Sequence, residues 1–261
     1  MNRSKGYVDA DYLRLAESML GQLKQRSYEH MRLGLGHRIL DVGCGPGTDT
    51  IPLAQLIGST GQVWAMDYDD AMVAEAKQRA GTAGVSAWVT HRQADATSLP
   101  FDAGYFDSCR SERLFQHLLD PSAALAEMVR VTKADGWVVV LDTDWGSGGI
   151  DTDEIDVERR LVRYNAEEKF HNGYAGRQLY RLFKTRGLAE VSFEVVPIVV
   201  THYALARQIW DLDSLRVEAL AANVISADEL RRLEMGFEEA DADGVFFGYG
   251  CMILVAGRRM G

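Results

Sequence analysis

Cysteine is scarce in this chain. Three are present, Cys44, Cys109 and Cys251, and they are widely separated along the sequence. This number and spacing exclude a disulfide framework and a CxxC metal site. Since each one lies in an apolar or strand-like context, we expect three buried free thiols and no bound metal.

Long apolar runs are also missing. No uncharged stretch approaches the roughly 18 residues that a transmembrane helix needs. The first residues, Met-Asn-Arg-Ser-Lys-Gly, are not followed by the apolar core of a signal peptide. We therefore expect a soluble, cytoplasmic protein that has no membrane partner.

Basic residues are fewer than acidic ones. The chain has 28 Lys and Arg and 38 Asp and Glu, which gives a net charge of −10. A broad nucleic-acid footprint needs a basic face, so we expect no nucleic-acid partner, although a small basic patch stays compatible. Flexible linkers, internal repeats and low-complexity segments are absent as well. We predict one domain over residues 1–261, and the sequence leaves monomer or homodimer open.

The most informative stretch is Ile-Leu-Asp-Val at 39–42, apolar except for Asp41, which passes into the loop Gly-Cys-Gly-Pro-Gly at 43–47. Glycine at every second position permits positive φ and lets a ligand approach the backbone with no Cβ in the way. Residues 49–56 can start a helix, whose free N–H groups and dipole add positive character. Strand, loop and helix together predict a nucleotide-binding site.

Alternating strand and helix patterns from 37 to 142 predict an α/β domain whose parallel sheet has right-handed crossovers. The strand candidates there are 37–42, 62–67, 87–93, 105–110 and 136–142, and the helix candidates are 48–57, 70–80 and 121–132. An earlier helix is predicted over 9–33. Beyond 142 we predict helices at 153–170, 177–186 and within 203–241, with strands at 191–201 and 244–257. The helical pattern within 203–241 indicates an interruption near Asp213.

Acidic residues fall at the predicted carboxyl ends of the strands. Asp67 follows the second strand, 20 residues after Gly47, where a carboxylate reaches ribose hydroxyls, although it can instead cap the next helix. Asp95 follows the third strand and can accept from a purine amine or serve as a turn residue. With Asp41 and Asp142, these acids favour a ligand that carries positive charge over a pyrophosphate.

Two phosphate-binding fingerprints are absent. Thr48 stands where the third glycine of the dinucleotide pattern GxGxxG belongs, and no GxxxxGK[ST] loop occurs. A nicotinamide-dependent oxidoreductase is therefore a disfavoured alternative.

The residues at 41–47, Asp67, Asp95 and the stretch 105–121 resemble the successive motifs of class I S-adenosylmethionine-dependent methyltransferases. Residues 136–142 resemble the fifth strand of that family. The UbiE-like group of small-molecule methyltransferases is the most similar, since Leu-Pro-Phe (here 99–101) and a helix that opens with Asp-Pro also occur there.

The resemblance implies a Rossmann-like fold: a seven-stranded, mostly parallel sheet with an antiparallel last hairpin, helices on both faces and helical lid insertions. Residues 37–142 would form the cofactor-binding core. Helices within 1–34, 147–187 and 203–241 would cover the substrate, although the helix at 9–33 can instead simply pack on the domain.

The resemblance also implies S-adenosylmethionine as the cofactor. Asp41 and the glycine loop would hold its methionine part, Asp67 its ribose, and Asp95 the adenine amine. Arg110 departs from the smaller residues of the family, and would bind either the methionine carboxylate or an acidic group of the substrate. The full set of implied cofactor residues is Asp41, Gly43, Cys44, Gly45, Gly47, Asp67, Tyr68, Met72, Asp95, Ala96 and Arg110.

Methyl transfer needs mainly the alignment of a nucleophile with the S–CH3 bond, so no catalytic pair has to be visible. If a base exists, His117 is our first candidate, and the alternative is a histidine bonded within its loop. Asp144 can orient an amine or hydroxyl. Trp145 can stack on an aromatic substrate or contact the sulfonium, unless it is buried in a turn. Further candidates for substrate contact are Tyr7, Tyr28 and His171.

The sequence therefore favours a methyltransferase that acts by in-line transfer on a small, cyclic or aromatic acceptor at O, N or C. A non-catalytic S-adenosylmethionine-binding protein stays open, because no residue is unambiguously catalytic. Glu112 and Arg113, beside His117, are interpreted as a solvated surface pair.

Overall fold

A single seven-stranded sheet organises the part of the chain that the computed structural model describes, residues 21–261. The strand order is β3-β2-β1-β4-β5-β7-β6. Neighbours among β1–β5 pair in parallel, whereas β7 runs antiparallel to both β5 and β6. The predicted mostly parallel sheet with an antiparallel last hairpin is confirmed. The strands are β1 Arg38–Val42, β2 Gln62–Asp67, β3 Val89–Gln93, β4 Phe106–Glu112, β5 Thr132–Ile150, β6 Ala189–Val200 and β7 Gly248–Arg258.

Helices connect these strands. They are α1 (helical from 21 to 30), α2 Thr50–Ile57, α3 Asp70–Thr82, α4 Pro121–Val131, α5 Ile155–Tyr164, α6 Ala175–Thr185, α7 Tyr203–Ile209, α8 Leu212–Ala221 and α9 Ala227–Ala242. A 3-10 turn at Phe115–His117 follows β4, and a π-helical turn at Asn165–Lys169 extends α5. From residue 21 onward, no helix is long and apolar enough to cross a membrane.

The sheet is buried on both faces, because helices pack on each side of it. Successive strand residues point to opposite sides and so contribute to the two faces in turn. Ile39 packs with α1 and α2 on one face, whereas Leu40 packs with α4 and α6 on the other. Val139 and Val140 on β5 divide in the same way. Near-continuous apolar strands are what a doubly covered parallel sheet requires.

A third apolar cluster forms a helical layer from α5, α7, α8 and α9, together with the end of β6. Helix α6 is not part of it. Leu179 and Phe183 of α6 are fully buried against the sheet, so α6 is a sheet-covering helix and the expectation that all of 147–187 covers substrate is wrong for this segment.

Two differences from the predicted boundaries have a visible structural cause. β5 runs from Thr132 to Ile150 rather than over 136–142, because its second half keeps pairing with β7 through a register shift between Asp144 and Gly149. The interruption between α7 and α8 falls at Asp211, which adopts φ +48°, rather than near Asp213.

Candidate cofactor and active site

A deep opening, which we call the cleft, lies where the strand order reverses between β1 and β4. Ligands of open α/β sheets bind at this switch point, beyond the carboxyl ends of the strands. The cleft has a volume of about 1040 Å³ and is lined by the loop after β1, the ends of β2 and β3, and residues within 112–118. Residues within 165–171 and 204–214 of the helical layer close the opposite side.

The glycines of the loop after β1 serve different purposes. A Cβ on Gly43 would stand 3.0 Å from the Leu114 side chain, and one on Gly47 would stand 2.9 Å from Ala76, so both positions need glycine for packing. A Cβ on Gly45 would meet nothing within 4 Å, and Gly45 lines the cleft. The loop therefore offers the open backbone that a cofactor can approach.

Asp67 fixes this loop while keeping acceptor capacity. Its Oδ2 accepts from the Gly45 N–H at 2.8 Å and its Oδ1 from the Asp69 N–H at 3.0 Å, so each oxygen retains a lone pair. Burial raises the pKa of Asp67. Asp69, whose side chain accepts from Ala71 and Met72, caps α3, so Asp67 itself is not the cap.

The expected adenine side of the cleft also comes together, because Tyr68, Met72, Asp95 and Ala96 all line it. Asp95 Oδ1 accepts from the Thr97 backbone and hydroxyl at 2.8 and 2.7 Å, and these bonds lower the Asp95 pKa. The turn chemistry accounts for one carboxylate oxygen, which leaves Oδ2 as the atom that can accept from a ligand.

Arg110 lies beneath the cleft instead of lining it. Its guanidinium is 1% exposed and meets Asp41 at 3.5 Å, Asp49 at 3.1 Å and Glu112 at 2.9 Å. Three carboxylates already surround the guanidinium, so the structure does not support the expected contact of Arg110 with a cofactor or substrate carboxylate. Arg110 supports the floor of the site.

Asp41 lines the cleft and is the carboxylate of this network with the fewest ion pairs. Burial raises its pKa to about 7, although the Arg110 charge opposes the shift. Its Oδ2 is buried and has no hydrogen-bond partner in the described part of the chain. A buried, unpaired carboxylate oxygen at a ligand-sized opening fits the ammonium of a bound amino acid moiety.

Three residues of the network were not identified from the sequence. Lys24 of α1 contacts Asp49 at 3.0 Å and Glu112 at 3.3 Å, and all three line the cleft. Burial by itself raises the pKa of Asp49. The Arg110 and Lys24 charges outweigh this effect and hold the pKa of Asp49 well below its usual range. Glu112 is 9% exposed, so its interpretation as a solvated surface residue is wrong. No local pattern distinguishes these side chains from surface charges.

The predicted substrate residues lie in different parts of the structure. Tyr28 is buried below the cleft, where its hydroxyl donates to Asp49 and its ring lies under the Arg110 guanidinium, so the structure assigns it to the floor. His171 and Trp145 do line the cleft. Tyr7 lies outside the described residues.

His117 and Trp145 are connected through Gln116. The Trp145 indole N–H donates to Gln116 Oε1 at 2.8 Å, and Gln116 Nε2 lies 3.0 Å from His117 Nε2. An indole N–H is only a donor, which fixes the amide orientation and makes His117 Nε2 the acceptor. Neutral His117 therefore carries its proton on Nδ1, and its Nε2 accepts from the Gln116 amide.

Asp144 and Asp142 lie outside the cleft lining. Asp142 is fully buried, and its oxygens accept from the Phe115 and Thr143 N–H groups, so it shapes the backbone after β4. Asp144 lines a neighbouring cavity instead, and its expected catalytic role is not supported by this position.

The cysteines are free thiols. Cys44 lines the cleft, but burial raises the pKa of its thiol well above the usual value, so the thiol stays protonated. Cys44 and Cys109 are buried, as expected. Cys251 is only half-buried, so the prediction of a buried thiol is wrong at that position. Over residues 21–261, no group of three or more His, Cys, Asp or Glu side chains is arranged to hold a metal ion.

Comparison with known proteins agrees with this architecture. Residues 40–140 match the family model described as a methyltransferase domain. A 37.1 kDa protein in a transposon of Streptomyces fradiae, itself uncharacterized, is 34% identical over 207 residues, or 77% of this chain and 59% of the relative. The ubiquinone/menaquinone biosynthesis C-methyltransferase UbiE of Saccharophagus degradans is 32% identical over 119 residues, or 46% of this chain and 48% of that protein. The chain thus spans less than two thirds of the length of either relative.

Solved structures extend the agreement to the whole fold. A putative methyltransferase from Bacillus halodurans has a TM-score of 0.64 at 18% identity, covering 92% of this chain and all of that one. A geranyl diphosphate C-methyltransferase from Streptomyces coelicolor A3(2), solved with S-adenosyl-L-homocysteine, has a TM-score of 0.58 at 17% identity and covers 92% of this chain and 76% of that one. The predicted resemblance is confirmed: residues 40–140 match a methyltransferase domain, and the described residues adopt the Rossmann-like fold of these solved structures.

Proposed function

We propose that this chain, a class I methyltransferase by its domain and its fold, methylates a small cyclic or aromatic acceptor at an O, N or C atom. The observation that carries the proposal is the row of Asp41, Asp67 and Asp95 along the cleft, each with acceptor capacity left over. S-adenosylmethionine, when bound, supplies a methyl group made electrophilic by its positively charged sulfur. A cleft walled by carboxylates suits such a cationic cofactor.

Each acid would hold a different part of the cofactor. Asp41 Oδ2 would accept from the amino group, while the open backbone at Gly45 admits the methionine chain. Asp67 would accept from the ribose hydroxyls with its remaining lone pairs. Asp95 would accept from the adenine amine, with Met72 packed on the ring.

The acceptor would lie on the opposite side of the cleft, where aromatic side chains gather. Trp145 stacks on Phe170 with ring centroids 4.6 Å apart, and the His117 ring lies 5.8 Å from Phe170. Flat apolar surfaces of this kind suit a cyclic or aromatic acceptor. Relatives named for ubiquinone/menaquinone biosynthesis and for geranyl diphosphate methylation support a small-molecule acceptor.

Alignment of the acceptor would supply most of the rate, since proximity and orientation lower barriers by about 7–11 kcal/mol. His117 would act as base for an acceptor that is protonated at working pH. Its Nε2 would take the proton after exchanging the Gln116 amide for the acceptor, at a gain of about 10²–10⁴-fold.

Label transfer tests the proposal. The protein is incubated with methyl-labelled S-adenosylmethionine and the small-molecule fraction of a cognate extract, and the labelled product is separated. We expect a labelled small molecule with the wild-type protein and clearly less of it with Asp67→Ala at subsaturating cofactor. Cofactor binding with no transfer to any fraction would favour the non-catalytic alternative.

A further inference from the structure

A second cavity, which we call the chamber, adjoins the cleft under the helical layer. It lies between the second half of β5, the start of β7 and helices α5, α8 and α9. Its volume is about 120 Å³. An apolar protein cavity of about 150 Å³ accepts benzene, so the chamber has the size of a single ring.

The walls of the chamber are mostly apolar. Leu161, Leu215, Leu233, Phe237 and Met252 line it, and all five are buried. Two wall carboxylates are already paired within the protein. Glu158 meets Arg159 and the Ile150 N–H, and Glu234 pairs with Arg216.

The chamber and the cleft share part of their walls. Five residues line both cavities, namely Arg113, Trp145, Asn165, Ile209 and Trp210. A molecule seated in the chamber would therefore border the space in which the methyl donor binds. The shared walls therefore place the chamber next to the proposed cofactor site.

One buried carboxylate oxygen of the chamber wall has no hydrogen-bond partner in the described part of the chain. Asp144 is 4% exposed, and its Oδ2 accepts from Arg177 Nε at 2.7 Å, but its Oδ1 is buried and unpaired. Leaving a buried acceptor unpaired costs free energy, so a ligand that donates a hydrogen bond to Oδ1 would be stabilised. Because Arg177 already balances the carboxylate charge, a neutral hydroxyl suits Oδ1 better than a second cation.

We propose that the chamber binds an apolar ring of the methyl acceptor, and that Asp144 Oδ1 accepts a hydrogen bond from a hydroxyl on that ring. This rests on the proposed function. Asp144 does not line the cleft, so this hydroxyl would be a recognition group and the methylated atom would lie at the other end of the acceptor. The acceptor class is a phenol or an alcohol of similar size.

Paired ring probes test the hydroxyl. 4-Methylphenol and toluene differ only in that group, and their affinities are measured by ligand-observed NMR titration of the protein, with and without S-adenosylhomocysteine. We expect 4-methylphenol to bind wild type at least about fivefold more tightly than toluene. In Asp144→Ala the two affinities should come within twofold of each other. A preference that survives in Asp144→Ala, or no binding of 4-methylphenol to wild type, overturns the proposal.

Filling the chamber tests the location independently of Asp144. A Cβ on Gly250 would meet only Trp210 Nε1, at 3.7 Å, so Gly250→Leu adds volume to the chamber without a backbone clash. The control is Gly236→Leu on the exposed face of α9, where a Cβ meets nothing within 4 Å. We expect Gly250→Leu to weaken 4-methylphenol binding more than tenfold and the control less than twofold.

Affinity for S-adenosylhomocysteine should stay within twofold of wild type in both glycine variants. Unchanged 4-methylphenol binding in Gly250→Leu would contradict the chamber as its site. If wild type binds 4-methylphenol in the chamber but no S-adenosylhomocysteine, the proposed function fails and the chamber stands as a ring-binding site.

Discussion

At the scale of single residues, Asp41 is the least compensated carboxylate around Arg110. Asp49 meets both Arg110 and Lys24, and Glu112 meets these two and Arg113, whereas Asp41 has only Arg110 at 3.5 Å. Burial raises its pKa to about 7, and the ion pair with Arg110 does not offset this effect. An ammonium placed against Oδ2 would correct it.

Cofactor affinity should therefore depend on pH. A bound ammonium lowers the Asp41 pKa below its value of about 7, so binding favours the ionised carboxylate. Affinity should be constant above pH 7 and fall about tenfold per pH unit below it, because one pKa unit is worth about 1.4 kcal/mol. Calorimetric titration with S-adenosylhomocysteine between pH 5.5 and 8.5 measures this. Asp41→Asn should bind weakly and without that slope, and an equal slope in the variant would remove Asp41 from the effect.

Arg110 is predicted to act on stability. Arg110→Leu leaves three buried carboxylates without their shared cation, so the free energy of unfolding should fall by about 3–5 kcal/mol in denaturant titration. Arg258→Leu is the control, because Arg258 makes its ion pairs at the surface and should cost about 1 kcal/mol or less. A loss for Arg110→Leu no larger than the control would show that the network does not support the floor.

His117 is predicted to act on the chemical step. If Nε2 takes the proton of the acceptor, His117→Ala should lower turnover about 10²-fold or more while affinity for S-adenosylhomocysteine changes little. Single-turnover kinetics on the acceptor identified by label transfer provide the test. A turnover number within threefold of wild type would exclude His117 as the base.

At the scale of elements, sequence patterns were most reliable where local chemistry dictates geometry. The glycine loop, the Asp120-Pro121 start of α4 and the capping box at Ser226 all form as predicted. Arg110 was predicted to contact a ligand, and Lys24 was not identified at all. Neither role could be predicted, because a charged side chain in a strand or helix does not reveal its distant partners. The length of β5 was missed for a similar reason, since its second half depends on pairing with β7.

The capping box of α9 offers an element-scale prediction. The Ser226 hydroxyl accepts from the Glu229 N–H, and the Glu229 carboxylate accepts from the Ser226 N–H at 2.7 Å. Ser226→Ala should lower the free energy of unfolding by about 1 kcal/mol, within the range of about 0.5–2 kcal/mol for lost N-caps. Thr185→Ala, at the exposed end of α6, is the control and should cost less. Equal losses in urea titrations of the two variants would contradict the role of the cap.

At the scale of the whole molecule, a doubly covered sheet positions one row of acids at its carboxyl edge, and a helical layer closes the space above them. The class of fold and the cofactor side of the cleft could be predicted, because strands, turns and acids follow one another along the chain. The chamber could not be predicted, since its walls come from β5, β7 and three helices that the sequence separates.

The measurement that tests this account most directly is calorimetric titration of the protein with S-adenosylhomocysteine at pH 8. We predict one site per chain with a dissociation constant in the micromolar range. Asp67→Ala should weaken that affinity by more than about 1 kcal/mol, since it removes hydrogen bonds from a charged acceptor. No binding by wild type at high micromolar ligand would contradict the account, and equal affinity in wild type and Asp67→Ala would contradict the placement of the cofactor in the cleft.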